Sequence, residues 1–152
     1  MHAVTVEIVQ VPYGDKEVLR RLIEFYDYDF SEILGWDVNE HGTFGYRYFD
    51  QYWTDPDRYP LFIRVDGRLA GFALVCAGEP NDMAEFFVMR KYRRAGIGTE
   101  AARAIFEQFP GLWQVRQEEA NVGAISFWRR AIPVPFDETH WDNGPIQRFA
   151  IG

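Results

Sequence analysis

The chain has 152 residues, 47% of them hydrophobic and 17% aromatic, which is enough to close a core and too many for a disordered segment. A net charge of −7 argues against a nucleic-acid partner. Cys76 is the single cysteine, so an intramolecular disulfide is excluded. Lacking a charged-then-apolar leader and any apolar run of membrane-spanning length, the chain reads as one cytoplasmic domain, 1–152, with no membrane partner.

In chain order, Val4, Val6 and Ile8 alternate with polar residues and predict a strand. Gly14-Asp15 ends it, and Asp15 is placed to cap a helix whose stripe is Val18, Leu19, Leu22, Ile23 and Tyr26. That helix is expected to break and restart near Ser31 and to stop at Gly35. Residues 36–59 have no clear period. They are rich in aromatics, and 24–57 carries nine acids against one base, Arg47. The expectation is irregular or short-helical structure wrapping the side where a cationic partner binds.

Leu61–Val65 and Leu69–Cys76 read as strands joined by the hairpin turn Asp66-Gly67. Cys76, inside an apolar run, reads as a small buried side chain rather than a nucleophile. After a turn at 78–82 comes a third apolar strand through Ala84, Phe86, Phe87, Val88 and Met89. Pro110-Gly111 ends the helix that follows, and Leu112–Arg116 forms the next strand. Asn121 opens a last helix, and two late strands, near Val134–His140 and Pro145–Ile151, pair around Asp142-Asn143-Gly144.

The residues from 83 to 109 organise the rest. The apolar strand stops at a basic loop, Arg90-Lys91-Tyr92-Arg93-Arg94, which passes through Ala95-Gly96-Ile97-Gly98-Thr99 into an amphipathic helix. A helix start leaves N–H groups without partners and carries the positive end of the dipole, so an anion sits well there. Glycines at 96 and 98 remove the Cβ atoms that would hold a pyrophosphate away from those amides. Arg93 and Arg94 add charge-assisted donors. Gly96-x-Gly98-x-x-Ala101 also fits a dinucleotide fingerprint, with Glu118 and Glu119 near the expected ribose ligand. In that fold, however, the strand runs directly into the first glycine, and here a basic loop intervenes.

Arg93-x-x-Gly96-x-Gly98 after a hydrophobic strand resembles the pyrophosphate signature of the GNAT superfamily of N-acetyltransferases, (Q/R)-x-x-G-x-(G/A). The resemblance extends through residues 64–75 upstream and Asn121-x-x-Ala124-x-x-Phe127-Trp128 downstream. It covers roughly 60–132. It implies an α/β (α+β) fold in which a mixed, largely antiparallel sheet of about seven strands has helices on both faces. It also implies acetyl-CoA as cosubstrate, no metal, and a primary amine of a small molecule or peptide as acceptor, attacking the thioester directly in a ternary complex.

Under this resemblance the pantetheine arm lies beside the backbone of Phe87, Val88 and Met89, and a backbone N–H near Val88 or Met89 faces the oxyanion. The cosubstrate-binding set is then Phe87, Val88, Met89, Arg93, Arg94, Ala95, Gly96, Ile97, Gly98, Thr99, Asn121 and Trp128. An attacking ammonium must lose a proton, and Asp82 and Glu85 are the candidate bases. Strand alternation puts them on opposite faces unless a bulge intervenes. His41 and His140 are weaker candidates. Where many family members have a tyrosine that protonates the leaving thiolate, this chain has Trp128, whose N–H is no acid at neutral pH. Tyr26, Tyr46 or Tyr48 would have to substitute, or the chain is a CoA-binding module with little turnover. Exposed aromatics or the late hairpin would serve a homodimer.

Overall fold

The computed structural model describes residues 3–152. Seven strands form one sheet: β1 (Val6–Gln10), β2 (Arg58–Val65), β3 (Arg68–Cys76), β4 (Asn81–Val88), β5 (Gly111–Arg116), β6 (Asp137–Trp141) and β7 (Gly144–Ile151). Their order is β1-β2-β3-β4-β5-β7-β6. All neighbours pair antiparallel except β4 and β5, which run parallel and pair only at Asn81–Trp113 and Asp82–Gln114. Beyond Asp82 the two strands separate, and the sheet is split by a V-shaped opening. One parallel joint in an otherwise antiparallel sheet removes the dinucleotide alternative, which needs successive parallel crossovers.

Helices cover both faces. On one lie α1 (Lys16–Leu34) and the short α2 (Gln51–Thr54). There Leu19, Leu22 and Ile23 of α1, with Phe49 and Tyr52, pack on Phe62, Phe72, Leu74 and Phe87. On the other lie α3 (Ile97–Gln108) and α4 (Val122–Ala131). Ala102, Ile105 and Phe106 of α3 and Trp128 and Ala131 of α4 meet Ala73, Val75, Met83, Trp113, Val115 and Phe149. Phe106 sits at the centre of this layer, fully buried, with ring centroids 4.9 Å from Trp113 and 5.2 Å from Phe149. Phe106→Ala is expected to lower stability by about 3–5 kcal/mol, read as an earlier midpoint in a denaturant titration.

Several sequence expectations change. Helix α1 does not break at Ser31, although its hydroxyl donates back to the Tyr28 carbonyl of the same helix at 2.6 Å, a bond that bends a helix without ending it. The helix ends at Gly35, in the left-handed region at φ 73°, with its N–H on the Ser31 carbonyl. Asp15 precedes the helix, but its side chain makes no capping bond. Strand β6 starts at Asp137 rather than Val134, since Pro133 and Pro135 cannot donate to a ladder. Cys76 is half-buried, its sulfur 3.7 Å from the Tyr52 hydroxyl.

The expectation of irregular or short-helical structure over residues 36–59 holds, with α2 as its helical turn. Most of this stretch packs around α2 at the far end of β2, with Trp53 Nε1 donating to the Val11 carbonyl at 3.2 Å. Its acids serve the fold: Asp50 pairs with Lys16 and Asp55 with Arg58. In α1, Glu24 accepts from the N–H groups of Phe44 and Gly45. No helix among the described residues is long and apolar enough to cross a membrane.

Candidate active site

Two cavities flank the opening beyond Asp82. The larger, about 620 Å³, lies between α1 and the loop that leads into α3. The smaller, about 280 Å³, runs beneath α1 toward β5. Tyr26, Phe30, Phe86, Asn121, Ala124 and Trp128 line both, so the two spaces meet at the Phe86–Trp128 wall, where the ring centroids are 5.0 Å apart.

The larger cavity ends on the α3 N-terminus. Gly96 is left-handed at φ 76°, and the first bond of the helix runs from the Glu100 N–H to the Gly96 carbonyl at 3.0 Å. Among the described residues, the N–H groups of 94–99 meet no protein acceptor. Arg94, Gly96, Gly98 and Thr99 line this notch. The two glycines have different reasons. A Cβ on Gly96 would meet nothing within 4 Å, so its requirement is conformational. A Cβ on Gly98 would stand 2.9 Å from the Phe127 ring, so Gly98 is small in order to seat Phe127, which stacks on Phe86 at 5.7 Å.

The basic cluster divides by role. Arg93 donates from Nε to the Val88 carbonyl at 2.6 Å and from Nη2 to Asp29 at 2.8 Å, while Arg90 takes the other Asp29 oxygen at 2.8 Å. Asp29 thus ties α1 to the loop. Lys91 lies over Tyr92, and Arg94 has no ion pair among the described residues. The residues present therefore suit a diphosphate: bare amides, a free guanidinium and an adjoining cleft.

Along β4 the backbone settles the donors. The Met89 N–H is spent on the Ala70 carbonyl at 2.8 Å, so Met89 is not the oxyanion donor. Phe87, opposite Phe72, turns the same way toward β3 by alternation. The Phe86 and Val88 amides face the opening, where β5 no longer pairs. Gly71 lets β3 come this close, since a Cβ there would fall 1.9 Å from the Phe87 carbonyl oxygen. Met89, Ala95 and Ile97 do not line the cavity; the Ile97 side chain is buried in the core beside Val88 and Ala101.

A bulge separates the two candidate bases from their expected geometry. Leu74 faces Glu85 and Val75 faces Met83, so Ala84 is the extra residue. Glu85 opposite Leu74 and Asp82 opposite Cys76 therefore share the α1 face. Only Glu85 reaches a cavity, the smaller one. Tyr26 of α1 donates a short hydrogen bond to Glu85 Oε2. Burial raises the Glu85 carboxyl to about 7, against the lowering effect of Tyr26. Asp82 instead pairs with Arg116 at 2.9 Å at the closed end of the split, its Oδ1 buried without a partner.

Trp128 is 5% exposed and packs against Phe86, Phe106 and Phe127. Asn121 caps α4, its side chain accepting from the Ala124 N–H at 3.2 Å, and still lines both cavities. Of the three tyrosines, Tyr26 reaches both spaces, whereas Tyr46 faces a separate small cavity and Tyr48 is an exposed residue near Arg47. His41 and His140 are surface residues, each beside a glutamate, Glu40 and Glu119. Of the α1 wall, Tyr26 was already a candidate acid and Asp29 lay in the acidic stretch, whereas Phe30 and Ile33 were not legible as site residues, because they read as part of an ordinary amphipathic helix.

Asp27, one residue from Tyr26, is 5% exposed, and burial with Glu24 nearby raises its carboxyl to about 7. Both Asp27 and Glu85 bind a proton more readily folded than unfolded, so their contribution to stability is full below about pH 4 and is lost as pH rises through 7. The melting temperature is expected to fall between pH 5 and pH 8. Asp27→Asn should flatten that slope, with its largest gain over the parent at pH 8, as read by calorimetry.

The sheet thus opens at a single parallel joint, with bare helix amides at its mouth. The model of the Acetyltransferase (GNAT) family matches residues 19–132, and the chain belongs to that family. An uncharacterised N-acetyltransferase from Mycobacterium tuberculosis H37Rv is 32% identical over 82 residues, 53% of this chain and 46% of the relative. The chain thus spans about half the length of the curated relatives it matches. An acetyltransferase structure from Thermus thermophilus superposes with a TM-score of 0.75 at 14% identity, covering 97% of each chain. The paiA N-acetyltransferase of Thermoplasma acidophilum, solved with coenzyme A, gives 0.64 at 14% identity over 96% of this chain and 99% of that one.

Proposed function

We propose that this protein moves an acetyl group from acetyl-CoA to a primary amine by direct attack in a ternary complex. The observation that carries this reading is the run of unpartnered amides at 94–99, opening on the larger cavity beside the split between β4 and β5. Those amides and Arg94 would hold the diphosphate. The pantetheine arm would follow the free edge of β4 to place the thioester carbonyl near the Val88 N–H.

Glu85, at the junction with the smaller cavity, takes the proton from the incoming ammonium, directly or through one water. The amine nitrogen bonds to the carbonyl carbon, the C–S bond breaks and the sulfur leaves as thiolate, while Glu85, having passed the first proton to solvent, takes the second proton from the nitrogen. Trp128 supplies packing at this point and no proton. Tyr26, which lines both cavities, is the phenol in position to return a proton to sulfur, its own being shared with Glu85.

Calorimetry with acetyl-CoA, followed by thiol release with a panel of amines, tests the proposal. Binding together with amine-dependent thiol release above hydrolysis supports it. Binding without release would leave a CoA-binding module, and absence of binding would remove the basis of both.

A further inference from the structure

The smaller cavity is more aromatic than the holding of one ammonium requires. Phe30 and Trp36 stack with centroids 5.7 Å apart and planes 17° apart, and Trp36 keeps 45% of its surface exposed. Trp141, which lines the same space, is fixed by its Nε1, which donates to the Gln117 carbonyl at 3.2 Å, and by Arg116, whose guanidinium lies 5.5 Å from the ring centroid. Phe86 and Trp128 close the inner end, next to Glu85.

Charge is sparse in this slot. Glu85 lies at the inner end, Arg116 is engaged by Asp82, and Glu118 lines the cavity with no ion pair among the described residues. A linear polyamine would bring further ammonium groups into a space that offers little besides Glu118 to meet them, and desolvating a cation without a partner is costly. The volume is about 280 Å³, and the space opens into the larger cavity at the Phe86–Trp128 wall.

Building on the transferase reading, we propose that the acceptor is a small primary monoamine with a flat aromatic body, its ring between Trp36 and Trp141 and its nitrogen at Glu85. Ring stacking supplies affinity, and the slot length sets the reach of the amine to the thioester.

The test compares 2-phenylethylamine with n-butylamine, spermidine and an unblocked tetrapeptide at saturating acetyl-CoA. The kcat/KM for 2-phenylethylamine is expected to exceed the others by about tenfold or more, consistent with ~1.4 kcal/mol or more of added ring contact. Trp36→Ala and Trp141→Ala should each raise its KM about tenfold, leaving n-butylamine kinetics and the CoA Kd unchanged. A preference for spermidine or the peptide, or an equal effect of both variants on every amine, would overturn the inference while the transferase reading stands. If no amine turns over, equilibrium binding of 2-phenylethylamine to CoA-loaded protein decides. Binding that Trp36→Ala abolishes supports the slot, and no binding overturns it. The CoA titration run alongside reads the transferase assignment separately.

Discussion

Replacing Gly96 by glutamate is expected to weaken acetyl-CoA binding by about 100-fold or more, which is ~2.7 kcal/mol, while the protein remains folded. The position is open, with nothing within 4 Å of where a Cβ would stand, so the new side chain displaces no neighbour. It brings a carboxylate to the amides of 94–99, where the diphosphate would sit. The backbone there is left-handed at φ 76°, and a non-glycine residue in that conformation costs about 1–2 kcal/mol. Gly96→Ala carries this strain without the charge and should lose only a small part of the affinity. Calorimetry reads both variants. An unchanged Kd for Gly96→Glu would place the cosubstrate elsewhere. Gly98 is the poorer site for this experiment, because any side chain there meets Phe127 first.

Glu85→Gln is expected to lower kcat by about 10²- to 10⁴-fold and to leave CoA affinity intact. The parent kcat should rise with pH through about 7, the value to which burial brings the Glu85 carboxyl, since only the ionised form accepts a proton. In Glu85→Gln that limb should vanish. Tyr26→Phe should move it to higher pH, because the Tyr26 hydroxyl favours the ionised carboxylate. A Glu85→Gln profile that keeps the limb would assign the base to another group. Asp82 is the less suited of the pair, being held by Arg116 away from both cavities.

Where the sequence was informative, the signals were local. The hairpin at Asp66-Gly67 follows from two residues that accept positive φ, here 50° and 79°. The start of α3 at Ile97 follows from the Gly96 turn and a four-residue apolar repeat. Asn121 was legible as a cap for the same reason: its acceptor sits three residues from the amide it holds. The family likeness rests on these short stretches, each a few residues long.

The arrangement of the site was decided at long range. Tyr26 and Glu85 are 59 residues apart in sequence, and Asp29 is more than 60 from the arginines it holds. No period in α1 distinguishes a helix that seals a core from one that also walls a cleft. The bulge at Ala84 is likewise invisible in a strand pattern, yet it turns Asp82 and Glu85 to one face. By itself, then, the amino-acid sequence determined the strands, the helix starts, the bare amides before Thr99 and the family. Tertiary structure alone brought Glu85 rather than Asp82 to the cavity, left the Val88 rather than the Met89 amide facing the opening, and set the aromatic slot beside Glu85. The physical reason is that burial, strand separation and packing across the sheet depend on partners far away in the chain, whereas turns and caps depend on neighbours.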